Sequence, residues 1–133
     1  MTDYGMFTDK SNIVAVVGVS TDEDKYGYRV YKTLKDNGYA VFAVNPKYDK
    51  VGSDKVYHDL ESLPKKPTLV ITVVPRAVTY EVVEKCKELG IPRVWMQPGS
   101  ESPEAVEFCK KNGIDVVYKS CYIVNGMNTC FTG

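Results

Sequence analysis

The chain has 133 residues, and its 17 lysine and arginine side chains are balanced by 17 aspartates and glutamates. This length supports one domain, residues 1–133, and is too short for a binding domain joined to a separate catalytic domain. Because the formal net charge is zero, no overall field attracts nucleic acid or an anionic membrane, and any basic site must be local.

Segments typical of membrane or secreted proteins are missing from the sequence. No apolar run approaches the roughly 18 residues of a spanning helix, and the N-terminus lacks the basic-then-apolar order of a signal peptide. Cys86, Cys109, Cys121 and Cys130 show no paired CxxC spacing, which favours reduced thiols. His58 is the single histidine, so no Cys/His cluster is available for zinc. These features predict a cytoplasmic protein without a metal site.

The N-terminal part of the chain predicts a strand, a loop and a helix. Residues 1–12 form an N-terminal segment to which no pattern assigns a structure. Ile13–Val17 is a short apolar run rich in β-branched residues, which is typical of a strand buried on both faces. After a polar loop, a helix is expected to begin near Gly27 or Tyr28 and to end at Asn37-Gly38.

The next segment predicts one strand followed by irregular structure. Tyr39–Val44 is the second strand, and Asn45-Pro46 ends it because proline cannot donate to the ladder. Lys47–Lys55 is polar and predicts a loop. Asp59 is expected to cap a short helical turn at Leu60–Leu63.

The second half of the chain alternates strands and helices, with prolines and glycines at the boundaries. The first of these helices carries an apolar stripe that includes Val78. The predicted elements, in order, are strand Thr68–Val74, helix Arg76–Leu89, strand Arg93–Gln97, a helix from Ser102-Pro103 to Gly113, strand Ile114–Tyr118 and a C-terminal tail, residues 119–133, without periodicity.

Alternating strands and amphipathic helices predict an α/β fold, a single Rossmann-like domain with helices on both faces of a five-stranded parallel sheet. Right-handed crossovers favour the strand order 3-2-1-4-5. In such sheets ligands bind outside the carboxyl ends of the strands, here at the switch point between strands one and four. Four segments are expected to converge there: Gly18–Arg29, Asn45-Pro46-Lys47, Val74-Pro75-Arg76 and Gln97-Pro98-Gly99.

The loop after the first strand is a candidate phosphate site. A strand that passes through a glycine-containing loop into a helix presents backbone N–H groups and the positive end of the helix dipole. The usual dinucleotide fingerprint is incomplete, because Gly18-Val19-Ser20 has no second glycine and Asn45-Pro46-Lys47 offers no ribose-binding carboxylate. NAD is therefore disfavoured, and no P-loop pattern occurs either.

The motifs Gly18-Val-Ser, Lys25-Tyr26-Gly27, Asn45-Pro46-Lys47, Val74-Pro75 and Gln97-Pro98-Gly99 together resemble the small stand-alone CoA-binding proteins. These proteins are related to the CoA-binding domain of the succinyl-CoA synthetase α subunit and of ADP-forming acyl-CoA synthetases. The resemblance extends from Ile13 to Tyr122, and it implies coenzyme A or an acyl-CoA lying across the strand ends.

The resemblance also implies a role for each part of the site. Phosphates would contact Gly18, Val19, Ser20, Lys25, Tyr26, Gly27 and Arg29. The adenosine side would lie at Asn45, Pro46 and Lys47, and the pantetheine side at Val74, Pro75, Gln97, Pro98 and Gly99. A lysine near the second strand suits the 3′-phosphate of CoA, although Lys47 could equally be a solvated surface lysine.

The sequence supplies no catalytic constellation. The ligases that resemble this chain carry a phosphorylated histidine in a further domain, whereas His58 is expected in the loop after strand two, outside the pocket. Cys121 follows strand five and could form a mixed disulfide with CoA, or could be a small apolar core residue. Cys86 and Cys109 are expected to face the sheet, and Cys130 to be exposed.

Three functions remain open at this point. The first is a non-catalytic module that binds CoA or acyl-CoA, as a homodimer or with an unidentified protein partner. The second is an NADP-dependent oxidoreductase, which Lys47 would permit and the missing glycine fingerprint opposes. The third is the CoA-binding subunit of a split ADP-forming acyl-CoA synthetase, whose partner would carry the catalytic histidine.

Overall fold

A seven-stranded sheet lies at the centre of the computed structural model, which describes residues 4–132. Its strands are β1 Ile13–Val17, β2 Ala40–Val44, β3 Lys50–Val51, β4 Asp54–Tyr57, β5 Leu69–Thr72, β6 Arg93–Met96 and β7 Asp115–Val117. The helices are α1 Gly5–Thr8, α2 Tyr26–Asp36, α3 Arg76–Leu89 and α4 Pro103–Lys111, and a π turn spans Tyr122–Gly126. Within residues 4–132, no helix has both the length and the apolar character that crossing a membrane requires.

The sheet is covered on both faces, as the apolar strands predict. In β1, Val14 and Val16 join the core beneath α1, α2 and the π turn. Ala15 and Val17 join the core beneath α3 and α4. All neighbouring strands pair in parallel except the β3–β4 hairpin. The predicted α/β class with a Rossmann-like parallel sheet is therefore confirmed.

The predicted strand count and order are wrong because two strands were missed. The observed order is β3-β4-β2-β1-β5-β6-β7, and β3 and the first half of β4 fall in the segment Lys47–Lys55 that was expected to be a loop. Since β4 occupies the place beside β2, the strand predicted at Thr68–Val74 lies beside β1, and the switch point falls between β1 and β5. In β4 only Val56 is buried, so its periodicity does not distinguish it from a loop.

Two smaller predictions are also wrong, and the tail contains structure that its sequence pattern did not indicate. Residues 60–63 form an irregular turn without a helix, although the Asp59 carboxylate accepts the Ser62 N–H at 2.8 Å. Val78 is 36% exposed and lies outside the apolar stripe. The tail contains the π turn, whose Tyr122 and Ile123 are fully buried. Contacts between residues far apart in the chain determine these three features, so local periodicity does not predict them.

Trp95 joins the N-terminal and C-terminal segments on one face of the sheet. Its buried ring makes edge contacts with Tyr4, Phe7 and Tyr122 at centroid distances of 4.8, 5.7 and 5.0 Å. The Tyr122 hydroxyl donates to the Phe7 carbonyl oxygen at 2.6 Å. Residues 118–122 are thereby held beside β6, which places Cys121 next to the carboxyl end of that strand.

The β3–β4 hairpin is attached to α2 through Asp54. Its carboxylate accepts the Tyr31 hydroxyl at 2.8 Å and forms an ion pair with Lys35. The Lys35 ammonium, and then the Tyr31 hydroxyl, lower the pKa of Asp54 below its ordinary value despite partial burial. The stability that Asp54 contributes is therefore fully present above that ordinary value, and it is lost as pH falls through the lowered pKa.

We expect Asp54→Asn to have a smaller free energy of unfolding than the parent protein at pH 7, because the ion pair is lost. The difference should shrink at acid pH, once the pH falls through the lowered pKa and the parent carboxylate is itself protonated. Urea unfolding at pH 7 and at acid pH measures this difference. Asp115→Asn, at an exposed position of β7, is the matched control and should leave stability nearly unchanged. A stability difference of equal size at both pH values would contradict the conclusion that the charged Asp54 carboxylate stabilises the protein.

Candidate functional site

Six parallel strands present their carboxyl ends at one edge of the sheet. Gly18 follows β1, Asn45 follows β2, and Gln97 follows β6, while Val74 lies just beyond the end of β5. The four segments that the sequence predicted to converge thus all leave the sheet at this edge. The loop that follows β1, the candidate phosphate site, lies at the switch point, because β1 pairs with β2 on one side and β5 on the other.

Two glycines allow α2 to begin directly against the end of β1. A Cβ on Gly27 would lie 2.1 Å from the Gly18 carbonyl oxygen. A Cβ on Gly18, whose φ is +106°, would lie 2.1 Å from the Val73 carbonyl oxygen. Neither position can accept a side chain without moving backbone, so the loop–helix junction depends on both glycines.

Among residues 4–132, no side chain caps the N-terminus of α2. Lys25 occupies the N-cap position without a side-chain cap hydrogen bond, and the first turn carries no acidic residue. In α4, by contrast, the Ser102 hydroxyl accepts the Ala105 N–H at 3.3 Å. The first-turn N–H groups of α2 have no acceptor within the helix, and the dipole is positive there, which is the arrangement that binds an anion.

The loop side chains divide into internal and exposed groups. Val19 is fully buried, so only its backbone can face a ligand, and the Ser20 hydroxyl accepts the Asp22 N–H at 3.0 Å. Lys25 is exposed, and within residues 4–132 no carboxylate forms an ion pair with it. Exposed acidic residues 22–24 precede Lys25 and partly offset its charge. The Arg29 guanidinium lies 4.8 Å from the centre of the Phe131 ring.

Asn45 connects the first two strand ends. Its Nδ2 donates to the Val19 carbonyl oxygen at 3.0 Å, and its Oδ1 accepts the Lys47 N–H at 2.9 Å. The side chain therefore fixes the loop after β1 relative to the Asn45–Lys47 segment. Pro46 and Lys47 are exposed at the same edge. Asn45 is a positioning residue in this arrangement, whereas the Lys47 ammonium is available to solvent.

Gln97, Tyr26 and Cys121 form one hydrogen-bonded cluster. The fully buried Gln97 amide donates from Nε2 to the Tyr26 oxygen at 2.8 Å and to Cys121 Sγ at 3.5 Å. Its Oε1 accepts the Tyr122 N–H at 2.7 Å, which orients the amide. The Tyr26 hydroxyl in turn donates to Cys121 Sγ at 2.9 Å. Thus the cluster joins the first turn of α2, the end of β6 and the residue before the π turn.

Burial raises the pKa of Tyr26 far above its ordinary value, and the hydrogen bond to Cys121 adds to this effect. Tyr26 therefore stays a donor to the sulfur at neutral pH.

Burial also raises the pKa values of Cys86 and Cys109 to about 12, with the Cys109 charge contributing at Cys86. Those two thiols lie in the core beneath α3 and α4, as their helical positions predicted, and Cys130 is exposed as predicted.

The predicted pantetheine side lies beside the switch point. Val74 packs against Gly18, and Pro75 is the N-cap residue of α3. Pro98 and Gly99 are exposed, and the Gly99 N–H donates to the Glu101 carboxylate at 2.8 Å. Nearby, a surface groove of about 430 Å³ is lined by Arg76, Ala77, Tyr80, Ser102 and Glu104, where α3 and α4 begin.

His58 lies in an irregular segment, and the extra strand β4 separates it from the end of β2. It directly follows β4 and is therefore at the same carboxyl edge, one strand beyond β2. Its Nε2 lies 2.8 Å from Oδ1 of the exposed Asp49. In the part of the chain that the structure describes, no group of three or more His, Cys, Asp or Glu side chains could hold a metal ion.

Sequence reasoning missed several contacts at this edge. The hydrogen bonds among Tyr26, Gln97 and Cys121 join residues 24 to 95 positions apart, and no local pattern records them. The contacts of Phe131 with α2 and of Glu101 with Gly99 were also missed. Gly27 was assigned to the ligand site, and its close packing against Gly18 could also have been recognised, because the third glycine of a dinucleotide fingerprint permits close helix–strand packing.

Comparison with known proteins gives a family match over most of the chain. Residues 12–127 match the family model described as the CoA binding domain. The alpha subunit of acetate–CoA ligase (ADP-forming) II from Pyrococcus furiosus is 32% identical over 127 residues, covering 87% of this chain and 27% of that protein. The Bacillus subtilis protein YneT is 30% identical, and the match covers 84% of this chain and 83% of YneT.

Solved structures with the same architecture are found in small and large proteins. A hypothetical protein from Pyrococcus horikoshii OT3 has a TM-score of 0.83 and 30% identity, covering 91% of this chain and 87% of that chain. The dinucleotide-forming acetyl-coenzyme A synthetase 1 of Ca. Korarchaeum cryptofilum, in complex with phosphate and ADP, has a TM-score of 0.74 and 25% identity. The match covers 92% of this chain and 28% of that chain. The chain spans 27%, 11% and 17% of the first three curated relatives it matches.

Proposed function

The chain belongs to the family of the CoA binding domain, and from this membership and the geometry of the edge we propose that it binds coenzyme A or an acyl-CoA there. The observation that carries the proposal is the uncapped N-terminus of α2, held against the end of β1 by the Gly18–Gly27 contact. A diphosphate has the charge and the acceptor oxygens to satisfy those N–H groups. The proposed role is binding without catalysis by this chain alone.

The residues present fit such a ligand. Gly18, Ser20, Lys25, Tyr26 and Gly27 would hold the diphosphate, with backbone N–H groups as the main donors. The exposed Lys47 would contact the 3′-phosphate that distinguishes CoA from NAD. On the pantetheine side, the backbone of Val74 to Pro75 and of Pro98 to Gly99 would line the arm, while the amide of Gln97 is already committed within the protein.

Calorimetric titration of the reduced, ligand-stripped protein with CoA, 3′-dephospho-CoA and NADPH tests this proposal. We expect CoA to bind, and 3′-dephospho-CoA to bind about tenfold more weakly, since a charge-assisted contact contributes about 1.5 kcal/mol. Lys47→Ala should abolish that difference between the two ligands. Lys55→Ala, an exposed lysine on β4, is the matched control and should preserve it. Binding of NADPH without CoA would overturn the proposal in favour of an oxidoreductase.

A second part of the proposal concerns Cys121. Its sulfur is at the edge where the pantetheine arm would end, and it is 9% exposed, whereas Cys86 and Cys109 are fully buried. We propose that Cys121 forms a mixed disulfide with CoA by exchange with CoA disulfide. In that exchange the Cys121 thiol first loses its proton to solvent, and its thiolate attacks one sulfur of CoA disulfide. A Cys121–CoA disulfide bond forms, the original S–S bond breaks, and one CoA leaves as a thiolate.

The alternative of a subunit of a split ADP-forming synthetase is supported by the relatives. One of them is itself named as an alpha subunit, and this chain matches only part of its length. The needed partner would carry the phosphorylated histidine. Affinity purification of the chain from its native cells, followed by an assay for conversion of ATP to ADP and phosphate that depends on CoA and a carboxylic acid, tests this alternative. ADP-forming activity that requires a co-purified protein would favour the subunit over a stand-alone module.

A further inference from the structure

The segment that follows the π turn folds back onto α2. The Thr132 N–H donates to the Thr33 hydroxyl at 3.0 Å, and the Thr132 hydroxyl donates to the Asp36 carboxylate at 2.7 Å. The Lys32 ammonium, and then this hydroxyl, lower the pKa of Asp36, so the acceptor is charged at neutral pH. We call residues 130–132 the strap. Its last described residue is thus anchored on the outer side of α2.

The anchored strap places Phe131 against two residues of the proposed ligand site. The Phe131 ring is 5.6 Å from the Tyr26 ring, centroid to centroid, and 4.8 Å from the Arg29 guanidinium. Tyr26 is the residue whose hydroxyl donates to Cys121. Phe131 therefore packs on the side chain that covers the thiol, and it contacts an arginine in the first turn of α2.

We propose that the strap is a lid that opens when a ligand binds. In the closed state the strap covers the Tyr26–Cys121 pair, and the Phe131 ring holds the Arg29 guanidinium. A diphosphate bound at the start of α2 draws Arg29 off the ring, because a charge-assisted contact with phosphate is stronger than an exposed cation–π contact. Closure of the lid and binding of the ligand thus exclude each other. The ligand half of this proposal rests on the proposed CoA site, whereas the covering of Cys121 does not.

The four cysteines provide internal probes of the lid. Cys130 is exposed on the strap, Cys121 lies beneath Tyr26, and Cys86 and Cys109 are in the core on the opposite face of the sheet. An alkylating reagent should therefore distinguish three classes of thiol in one molecule. Only the Cys121 rate should respond to opening of the strap.

The test is the rate of iodoacetamide labelling of each cysteine, read by peptide mass spectrometry, in the parent protein and in Phe131→Ala. We expect labelling of Cys121 to rise about tenfold, because one aromatic pair and one cation–π contact hold the lid closed. Phe108→Ala is the matched control: Phe108 also packs on a tyrosine, Tyr80, at 5.7 Å with Lys87 at 5.9 Å, but on the other face. It should leave the Cys121 rate unchanged.

A second variant and a second readout keep the test decisive. Thr132→Val removes the anchor on Asp36 while keeping Phe131, and it should also raise the Cys121 rate. CoA affinity, measured by calorimetry, should increase several-fold in both strap variants, because ligand no longer competes with closure. Unchanged Cys121 labelling in both variants would overturn the lid. Faster labelling of Cys121 in variants that do not bind CoA would support the lid and refute the proposed CoA site. Faster labelling of Cys121 with unchanged CoA affinity would refute the competition between lid closure and CoA binding.

Discussion

Replacing Gly27 by alanine is expected to lower the free energy of unfolding by about 2 kcal/mol and to weaken CoA binding at least about tenfold. The added Cβ would lie 2.1 Å from the Gly18 carbonyl oxygen, so backbone must move. Helix propensity alone predicts the opposite sign, because alanine is better than glycine within a helix by about 0.5–1 kcal/mol. A decrease in the free energy of unfolding would therefore show that the close contact outweighs helix propensity, and an increase would show the reverse.

The loss of affinity follows from the same displacement. The first turn of α2 is pushed away from the end of β1, and its N–H groups no longer converge with the Gly18 loop on one phosphate. Urea unfolding and calorimetry with CoA measure the two effects. Gly38→Ala is the control, because Gly38 has a φ of +82° and no heavy atom within 4 Å of the added Cβ. It should cost about 1 kcal/mol and leave CoA affinity unchanged.

A Gly27→Ala protein with parental stability and parental affinity would contradict the close packing of α2 on β1. A protein that is destabilised but binds CoA normally would contradict the placement of the phosphate at the start of α2. The two measurements thus test the fold and the ligand site separately.

Treatment with CoA disulfide is expected to add one CoA, by mass, to the peptide that contains Cys121, and Cys121→Ser should abolish this adduct. The reaction should be about tenfold faster than with glutathione disulfide, because the proposed site would hold the CoA moiety with its disulfide next to the thiol. Both reactions are followed by mass spectrometry of the intact protein and of its peptides. Dithiothreitol should remove the adduct, as expected for a disulfide.

The experiment is best done in a Cys130→Ser background, which removes the exposed thiol. Cys86 and Cys109 are internal controls, since burial raises both pKa values to about 12 and leaves almost no reactive thiolate at pH 7.5. An adduct that survives Cys121→Ser, or equal rates with the two disulfides, would show that the site does not direct the reaction.

Elements with a strong local signal were predicted well from the sequence. Helix α3 occupies Arg76–Leu89 as predicted, because Pro75 and Gly90 bound a long amphipathic pattern. Strand β1 was recognised because a parallel strand buried on both faces is apolar throughout. Ser102-Pro103 predicted the start of α4, where the serine hydroxyl does cap the helix.

The sequence was insufficient where a residue's role depends on a distant partner. The β4 strand forms because β2 offers it a free edge, and its single buried side chain leaves no periodic signal. Residues 119–132 lack periodicity because their order comes from Trp95, Gln97 and α2.

Local chemistry in the sequence by itself determined that this protein alternates strands and helices, that its apolar strands are buried on both faces, and that glycine, asparagine and proline follow the strand ends. Those features depend on neighbouring residues and on side-chain polarity. Only the tertiary structure decided that β4 extends the sheet, that Tyr26, Gln97 and Cys121 share hydrogen bonds, and that Phe131 covers the start of α2. These are contacts between residues distant in the chain, and they exist only once the sheet has brought its strand ends to one edge.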